Sequence, residues 1–198
     1  MSTLKPLRRE DCPELEGEFQ FCEQFLGFVP NDLLTMAHVP ELMRNFMVFC
    51  RSTYEVGKLD MGLLQLVGTM TSWGSGCQYC TAHMAQTSPR FGVSTEKVEA
   101  LWEFETSELF SDAERAALRV ALKAGQSPNQ TESDDIDALS TYYDTEQIVQ
   151  LMSVICLFGF LNRWNDTLAT ELEEAPRLYA EQHISAKGWH VGKHGDNS

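Results

Sequence analysis

The 198-residue chain carries 29 acidic against 15 Lys and Arg side chains, a formal net charge of −14, and is 43% apolar. That size and apolar share suit one domain with a substantial core, and the acidic balance argues against nucleic acid and anionic membrane surfaces, which would repel it. The first residues have no apolar stretch of the kind found in secretory leaders, no run approaches a membrane span, and six cysteines lack framework spacing, so we expect a reducing, cytoplasmic setting.

Taken in order, residues 1–20 are polar and acidic and are expected to form an arm that joins the fold near Phe19, Phe21 and Phe25. Gly27-Phe28-Val29-Pro30-Asn31 reads as a turn leading into a short helix from Asp32 to Ala37. Pro40 then starts a core helix to Tyr54, with Phe46, Phe49 and Cys50 on one side and Met43 and Met47 beside them. Asp60 can cap the next helix, where Leu59, Leu63, Leu66, Val67, Met70 and Trp73 recur at helical spacing and Leu64, Gly68 and Thr71 line the other side. Such a helix is buried nearly all round. Gln65 is its polar exception, either a hydrogen-bonded core amide or a group facing the cysteines that follow.

Those cysteines lie in Ser75-Gly76-Cys77-Gln78-Tyr79-Cys80-Thr81-Ala82-His83, where Gly76 can supply a turn and the residues from Gln78 read as helical up to Pro89 and Gly92. Three apart on a helix, Cys77 and Cys80 have Cβ atoms about 5–6 Å apart, close enough to close a disulfide with modest adjustment. A helix N-terminus favours thiolate, and His83 shares the face of Cys80, where it can carry a proton. A zinc site or an inert buried pair remain alternatives, but zinc needs a fourth ligand, and Cys12, Cys22, Cys50 and Cys156 are dispersed. No metal is therefore expected. The absence of a strand pattern around the motif argues against a thioredoxin-type site.

Beyond the motif, Ser94 to about Glu105 reads as an amphipathic helix with Val98, Leu101 and Trp102 inward. Ser111-Asp112-Ala113-Glu114 is a capping box for a helix to Lys123, closed by Gly125 and Pro128. A loop from Gln126 to Ser133 precedes a short acidic helix, Asp134 to Tyr142. Asp144 and Gln147 open the last long helix, with Ile148, Leu151, Met152, Ile155 and Phe158 as its buried stripe. The stripe continues to Asn162, followed by Arg163, Trp164, Asn165 and Asp166. Arg163 and Asp166 read either as a local surface ion pair or as groups that orient the cysteine helix or its substrate. Residues 21–176 thus form one helical domain and 177–198 a tail, whose His183, His190 and His194 match no metal spacing and are expected to be solvated or to touch a neighbouring subunit.

These segments together resemble the alkyl hydroperoxidase D-like (AhpD-like) proteins of the carboxymuconolactone decarboxylase superfamily, especially the peroxidase-related branch, over residues 27–175. The likeness is carried by Gly27 to Asn31 with Leu33-Leu34-Thr35-Met36-Ala37, by the helix entering Gly76-Cys77-Gln78-Tyr79-Cys80, by Ala82-His83, and by Leu161-Asn162-Arg163-Trp164-Asn165-Asp166. It implies an all-α single-domain bundle with the C-x-x-C pair at the N-terminus of a central helix. It further implies a homo-oligomer that reduces hydroperoxides without a cofactor. By the same resemblance Cys80 is the peroxidatic thiol, Cys77 the resolving thiol and His83 the proton carrier, supported by Gln65, Tyr79, Ser75, Asn162 and Trp164; a lipoyl domain or thioredoxin-like protein resets the disulfide.

The chain departs from the pattern twice. His83 is one position early, Met84 standing where the family has its histidine, and Gln65 stands where the family has a glutamate, a group that relays protons as an amide cannot. Both imply a weaker or differently tuned peroxidase. A redox sensor or scaffold without turnover is the rival from another class, and lactone decarboxylation a third reading.

Overall fold

The computed structural model describes residues 4–55 and 57–195; the ends of the expected arm and tail, residues 1–3 and 196–198, lie outside them. The helices are α1 (Glu16–Leu26), α2 (Asn31–Met36), α3 (Pro40–Glu55), α4 (Met61–Ser75), α5 (Gln78–Thr87), α6 (Thr95–Glu99), α7 (Asp112–Gly125), α8 (Ser133–Ser140), α9 (Thr145–Leu168) and α10 (Glu174–His183), and no strand occurs among the described residues. The all-α bundle expected from the sequence is what forms.

Helix α4 is the axis of the bundle. It starts at Asp60, whose carboxylate accepts from the Leu63 amide at 3.2 Å, and every residue from Gly62 to Ser72 is buried. Helices α5, α7 and α9 pack around it. The approach of α7 is unusually close: a Cβ on Gly74 would meet the Leu122 carbonyl oxygen, and one on Gly125 the Thr71 carbonyl oxygen. On the other side Gln150 of α9 accepts from the Leu59 amide at 3.1 Å and donates to the Thr53 carbonyl at 3.3 Å, tying the α3–α4 connection to α9.

A second apolar cluster gathers Cys12, Leu15, Phe19 and Cys22 against Met36, Met43, Phe46, Met47 and Leu157. The N-terminal stretch is thus part of the core from Cys12 onward, rather than a loosely held arm joining near Phe19. Full burial of Leu15 and Phe19 contributes about 1.5–3 kcal/mol each.

The helix expected over 94–105 is broken. Ser94 caps α6 at 3.1 Å from the Lys97 amide, but after Glu99 the chain tightens into a 3-10 turn, Leu101–Glu103. Leu101 and Phe104, three apart, are both buried, a spacing that three residues per turn brings onto one face. Trp102 is half-buried against the same core, edge-on to Trp73 at 5.2 Å. The capping boxes at Ser111 and Asp144 form as read. Helix α9 reaches the length and apolarity of a membrane span, contrary to the expectation that no run would, yet it buries Gln150, Leu151, Val154, Ile155, Leu157, Phe158, Asn162 and Asn165 in the bundle.

The chain after α9 folds back onto α5. The Trp189 Nε1–H donates to the Gln78 carbonyl at 3.0 Å, and Ala180, Ile184 and Trp189 are buried. His194, expected to be solvated or at a subunit contact, is 1% exposed, and its Nδ1–H donates to the Thr170 carbonyl at 2.7 Å. His183 meets Glu99 at 2.7 Å. Asp166 pairs with Lys193 at 2.9 Å, so its ionic partner comes from the C-terminal segment and not from the neighbouring Arg163.

Candidate active site

The turn from α4 into α5 sets the cysteines. Gly76 has φ +76°, a left-handed conformation that a Cβ would strain, and the Cys77 amide donates back to the Ser72 carbonyl at 3.0 Å. Cys77 is therefore the N-cap of α5, and Cys80 sits one turn in. Cys77 is near enough to act on the Cys80 thiol through a hydrogen bond and its charge. Neither is open to solvent: Cys77 is 0% and Cys80 3% exposed.

Burial decides the resting charge of Cys80. It pushes the thiol well above its ordinary range, and the Cys77 hydrogen bond and the Asp32 charge push the same way, while an amide donor from Asn165 opposes them. At Cys80, one turn in, loss of water outweighs the helix dipole. The sulfur needs a proton acceptor.

The acid-base group beside it is larger than His83 alone. His83 Nε2 lies 2.5 Å from Glu173 Oε2, and Glu173 Oε1 accepts from the Tyr79 hydroxyl at 2.8 Å and from the Asn31 amide at 2.5 Å. Tyr79 also stacks on the imidazole, ring centroids 4.3 Å apart, and Phe28 meets it edge-on at 5.2 Å. Burial alone would raise the carboxyl of Glu173, but the charge and hydrogen bond of His83 and the Asn31 amide hold it below the usual carboxylate range. Burial raises the Tyr79 phenol well above its ordinary value. The Gly27–Asn31 segment thus acts through two residues, Phe28 on the ring and Asn31 on the carboxylate.

On the far side of Cys80, Asn165 of α9 donates from Nδ2 to the sulfur at 3.3 Å and to Asp32 Oδ2 at 2.9 Å. Asp32 and Asn165 are both buried, and desolvation raises the Asp32 carboxyl although His83 and Asn165 pull it down.

Cys80, Tyr79, His83, Asp32 and Gln65 all line one cavity of about 130 Å³, and Cys77 does not. Its walls are otherwise apolar and aromatic, with Phe21, Phe25, Phe46, Tyr54, Leu157 and Phe158, and Arg51 lies along them with its guanidinium over the Phe21 ring at 4.0 Å. Among the described residues no three His, Cys, Asp or Glu side chains converge as metal ligands would.

Of the residues singled out in the sequence, the structure brings together Cys77, Cys80, His83 and Tyr79, with Gln65 at the cavity wall. The Gln65 side-chain oxygen accepts from the Thr87 hydroxyl at 2.9 Å. Ser75 is exposed at the last position of α4. Asn162 is buried with neither side-chain polar atom hydrogen-bonded, and Trp164 packs on Phe160 and the N-terminal cluster; the amide that reaches Cys80 is Asn165, one turn beyond Asn162. Glu173 and Asp32 gave no warning as site residues. Asp32 looked like the first turn of a short helix, and Glu173 is one of three glutamates in Glu171-Leu172-Glu173-Glu174, indistinguishable by pattern.

The profile of the Carboxymuconolactone decarboxylase family matches residues 40–123. A cysteine-to-alanine variant of the debrominase Bmp8, in complex with 2,3,4-tribromopyrrole, is 34% identical, covering 92% of this chain and 97% of that one, with a TM-score of 0.88. The apo debrominase is 35% identical over 91% and 97% of the two chains, TM-score 0.87. An alkylhydroperoxidase AhpD core, a peroxidase-related protein from Ralstonia eutropha JMP134, is 21% identical over 83% of this chain and 87% of that one, TM-score 0.72, and shares the fold. Comparison with curated proteins gives no match.

Proposed function

Since the chain belongs to the carboxymuconolactone decarboxylase superfamily, as an AhpD-like member of a family of enzymes, we propose that it is a dithiol reductase that takes bromine from a small, electron-rich halogenated aromatic ring. The observation that carries this reading is the position of Cys80: one of two neighbouring thiols, it lines an aromatic-walled cavity together with His83 and Tyr79. A flat apolar ring suits such walls, and the relative of known reaction is a debrominase that binds a brominated pyrrole.

In the proposed reaction the ring carbon bearing bromine takes a proton from the Glu173, His83 and Tyr79 group. The Cys80 thiolate attacks bromine, an S–Br bond forms, and the C–Br electron pair returns to the ring. The Cys77 sulfur then displaces bromide from Cys80. One aryl bromide and two thiols thereby give arene, hydrogen bromide and a disulfide, which an external dithiol of the lipoyl or thioredoxin-like kind resets. Glu173 keeps His83 oriented. A homo-oligomer belongs to the same proposal, with exposed Val48 and Phe49 of α3 and Val149 and Phe160 of α9 as the apolar surface available for a second copy.

Hydroperoxide reduction is the second reading, and one observation favours it: the carboxylate that Gln65 fails to supply is present beside His83 as Glu173. The same dithiol would then form a sulfenic acid at Cys80 and release alcohol and water. Turnover with excess dithiothreitol separates the readings. Bromide release from a polybrominated pyrrole, lost in Cys80→Ser, is expected to exceed the consumption of cumene hydroperoxide. Peroxide turnover without bromide release would replace the first reading by the second, and no turnover of either would leave a redox sensor.

A further inference from the structure

We propose that Asn165 makes Cys80 the attacking sulfur, its side-chain N–H donating to the sulfur as it ionises. The proposal rests on the dithiol reading of the site but not on which substrate the dithiol reduces. A buried thiol one turn into a helix is poorly placed to ionise, and Cys77, at the N-cap, has the better position relative to the helix dipole. Something must favour the inner sulfur. Asn165 Nδ2 is 3.3 Å from Cys80 Sγ, within sulfur hydrogen-bond range, and its second hydrogen is held by Asp32 Oδ2 at 2.9 Å, which fixes the amide with its N–H side toward the sulfur. The residue is 0% exposed, so water cannot substitute for this donor.

Among the described residues, Asn165 is the hydrogen-bonding neighbour of Cys80 that lowers its pKa, whereas the Cys77 contact raises it. Its own helix brings Cys77, Tyr79 and His83; α2 brings Asp32 and the segment before α10 brings Glu173, both acidic. Across the cavity α1 contributes Cys22, whose thiol burial pushes up to about 12, and α3 contributes Cys50, Arg51 and Glu55 at the far wall. From α4 comes Gln65, engaged by Thr87. A hydrogen bond to a charged group is stronger than one to a neutral group, so the Asn165 contact strengthens as the proton leaves and thereby selects the sulfur it touches.

The test needs no substrate. Reduced wild type, Asn165→Leu and Asn165→Ser are labelled with iodoacetamide across pH, and each cysteine is followed by mass spectrometry. We expect Cys80 to label ahead of Cys77 in wild type. In both variants the Cys80 profile should move up by about one pH unit, a roughly tenfold slower reaction below it, with Cys22 labelling unchanged. Cys22 reports unfolding in the same spectra, and the smaller serine, which cannot span to the sulfur, keeps the test alive if leucine unfolds the bundle. An unshifted Cys80 profile in a variant whose Cys22 stays protected, or faster labelling of Cys77 in wild type, overturns the inference. Because labelling is independent of turnover, a wrong substrate would leave these outcomes untouched.

Discussion

Glu173 Oε2 lies 2.5 Å from His83 Nε2 across 90 residues of sequence, and it restores to the imidazole a carboxylate partner that Gln65 cannot be. The partner enters from the segment before α10, opposite the helix where the family pattern would put it. The imidazole thus has a carboxylate partner supplied by the residue that caps α10 rather than by α4.

Glu173→Gln tests the pair. It keeps the shape and removes the charge, so dithiol-driven turnover should fall by about a hundredfold, within the range a positioned acid-base group contributes. Glu173 is held below its unfolded value, so its stabilising contribution is present above about pH 4 and is lost as pH falls through the folded value. Thermal melts from pH 7 to 3 should therefore decline more steeply for wild type than for the variant. Parallel curves would show that the carboxylate is not coupled to folding.

The two cysteines should separate cleanly. Cys80→Ser removes the sulfur that lines the cavity and should abolish reduction, whereas Cys77→Ser should still undergo a single attack, leaving Cys80 as a sulfenyl species or as an adduct with added thiol. Intact mass after one equivalent of substrate reads this directly. The same adduct mass on Cys77 in the Cys80→Ser protein would reverse the assignment.

Asp32 opposes stability at neutral pH. Its folded value is raised by burial, so its contribution is full below the unfolded value near pH 4 and is lost as pH rises through the folded value. Asp32→Asn should raise Tm at pH 7, by about 2–4 °C for each kcal/mol recovered, with no gain at pH 3. A uniform gain at both pH values would point to packing instead.

The contact of α4 with α7 leaves no room for a methyl group. Gly74→Ala and Gly125→Ala each drive a Cβ into a backbone carbonyl that cannot rotate away, so each should destabilise by about 1–3 kcal/mol or more, read from the denaturant midpoint. Gly17→Ala in α1, with open space at the Cβ, is the control and should be neutral or stabilising.

The sequence made the scaffold legible because its signals are local. Asp60, Ser94, Ser111 and Asp144 cap the helices they were read to cap, and the apolar run from Leu63 to Met70 could only be an interior helix. The dithiol and His83 were legible for the same reason, being neighbours on one helix. What escaped was whatever the topology brings together: Glu173 from a run of like residues, Asp32 from a short helix, and Asn165 in place of Asn162 on α9, where a helical stripe names a face and not the residue at a given depth. The arm and tail escaped too, since a polar, acidic composition hid the few side chains, Cys12, Leu15, Trp189 and His194, that anchor them.

Cys77 exposes no surface, and the first turn of its helix is latched from outside by the Trp189 indole. A disulfide formed there is sealed from any bulky reductant, which must attack one sulfur along the S–S axis and therefore has to touch it. Under the dithiol proposal, regeneration would then call for either a slender dithiol arm that threads the cavity or a transient release of residues 184–195. In the second case the pace of the whole cycle would be governed by how often the C-terminal latch lets go.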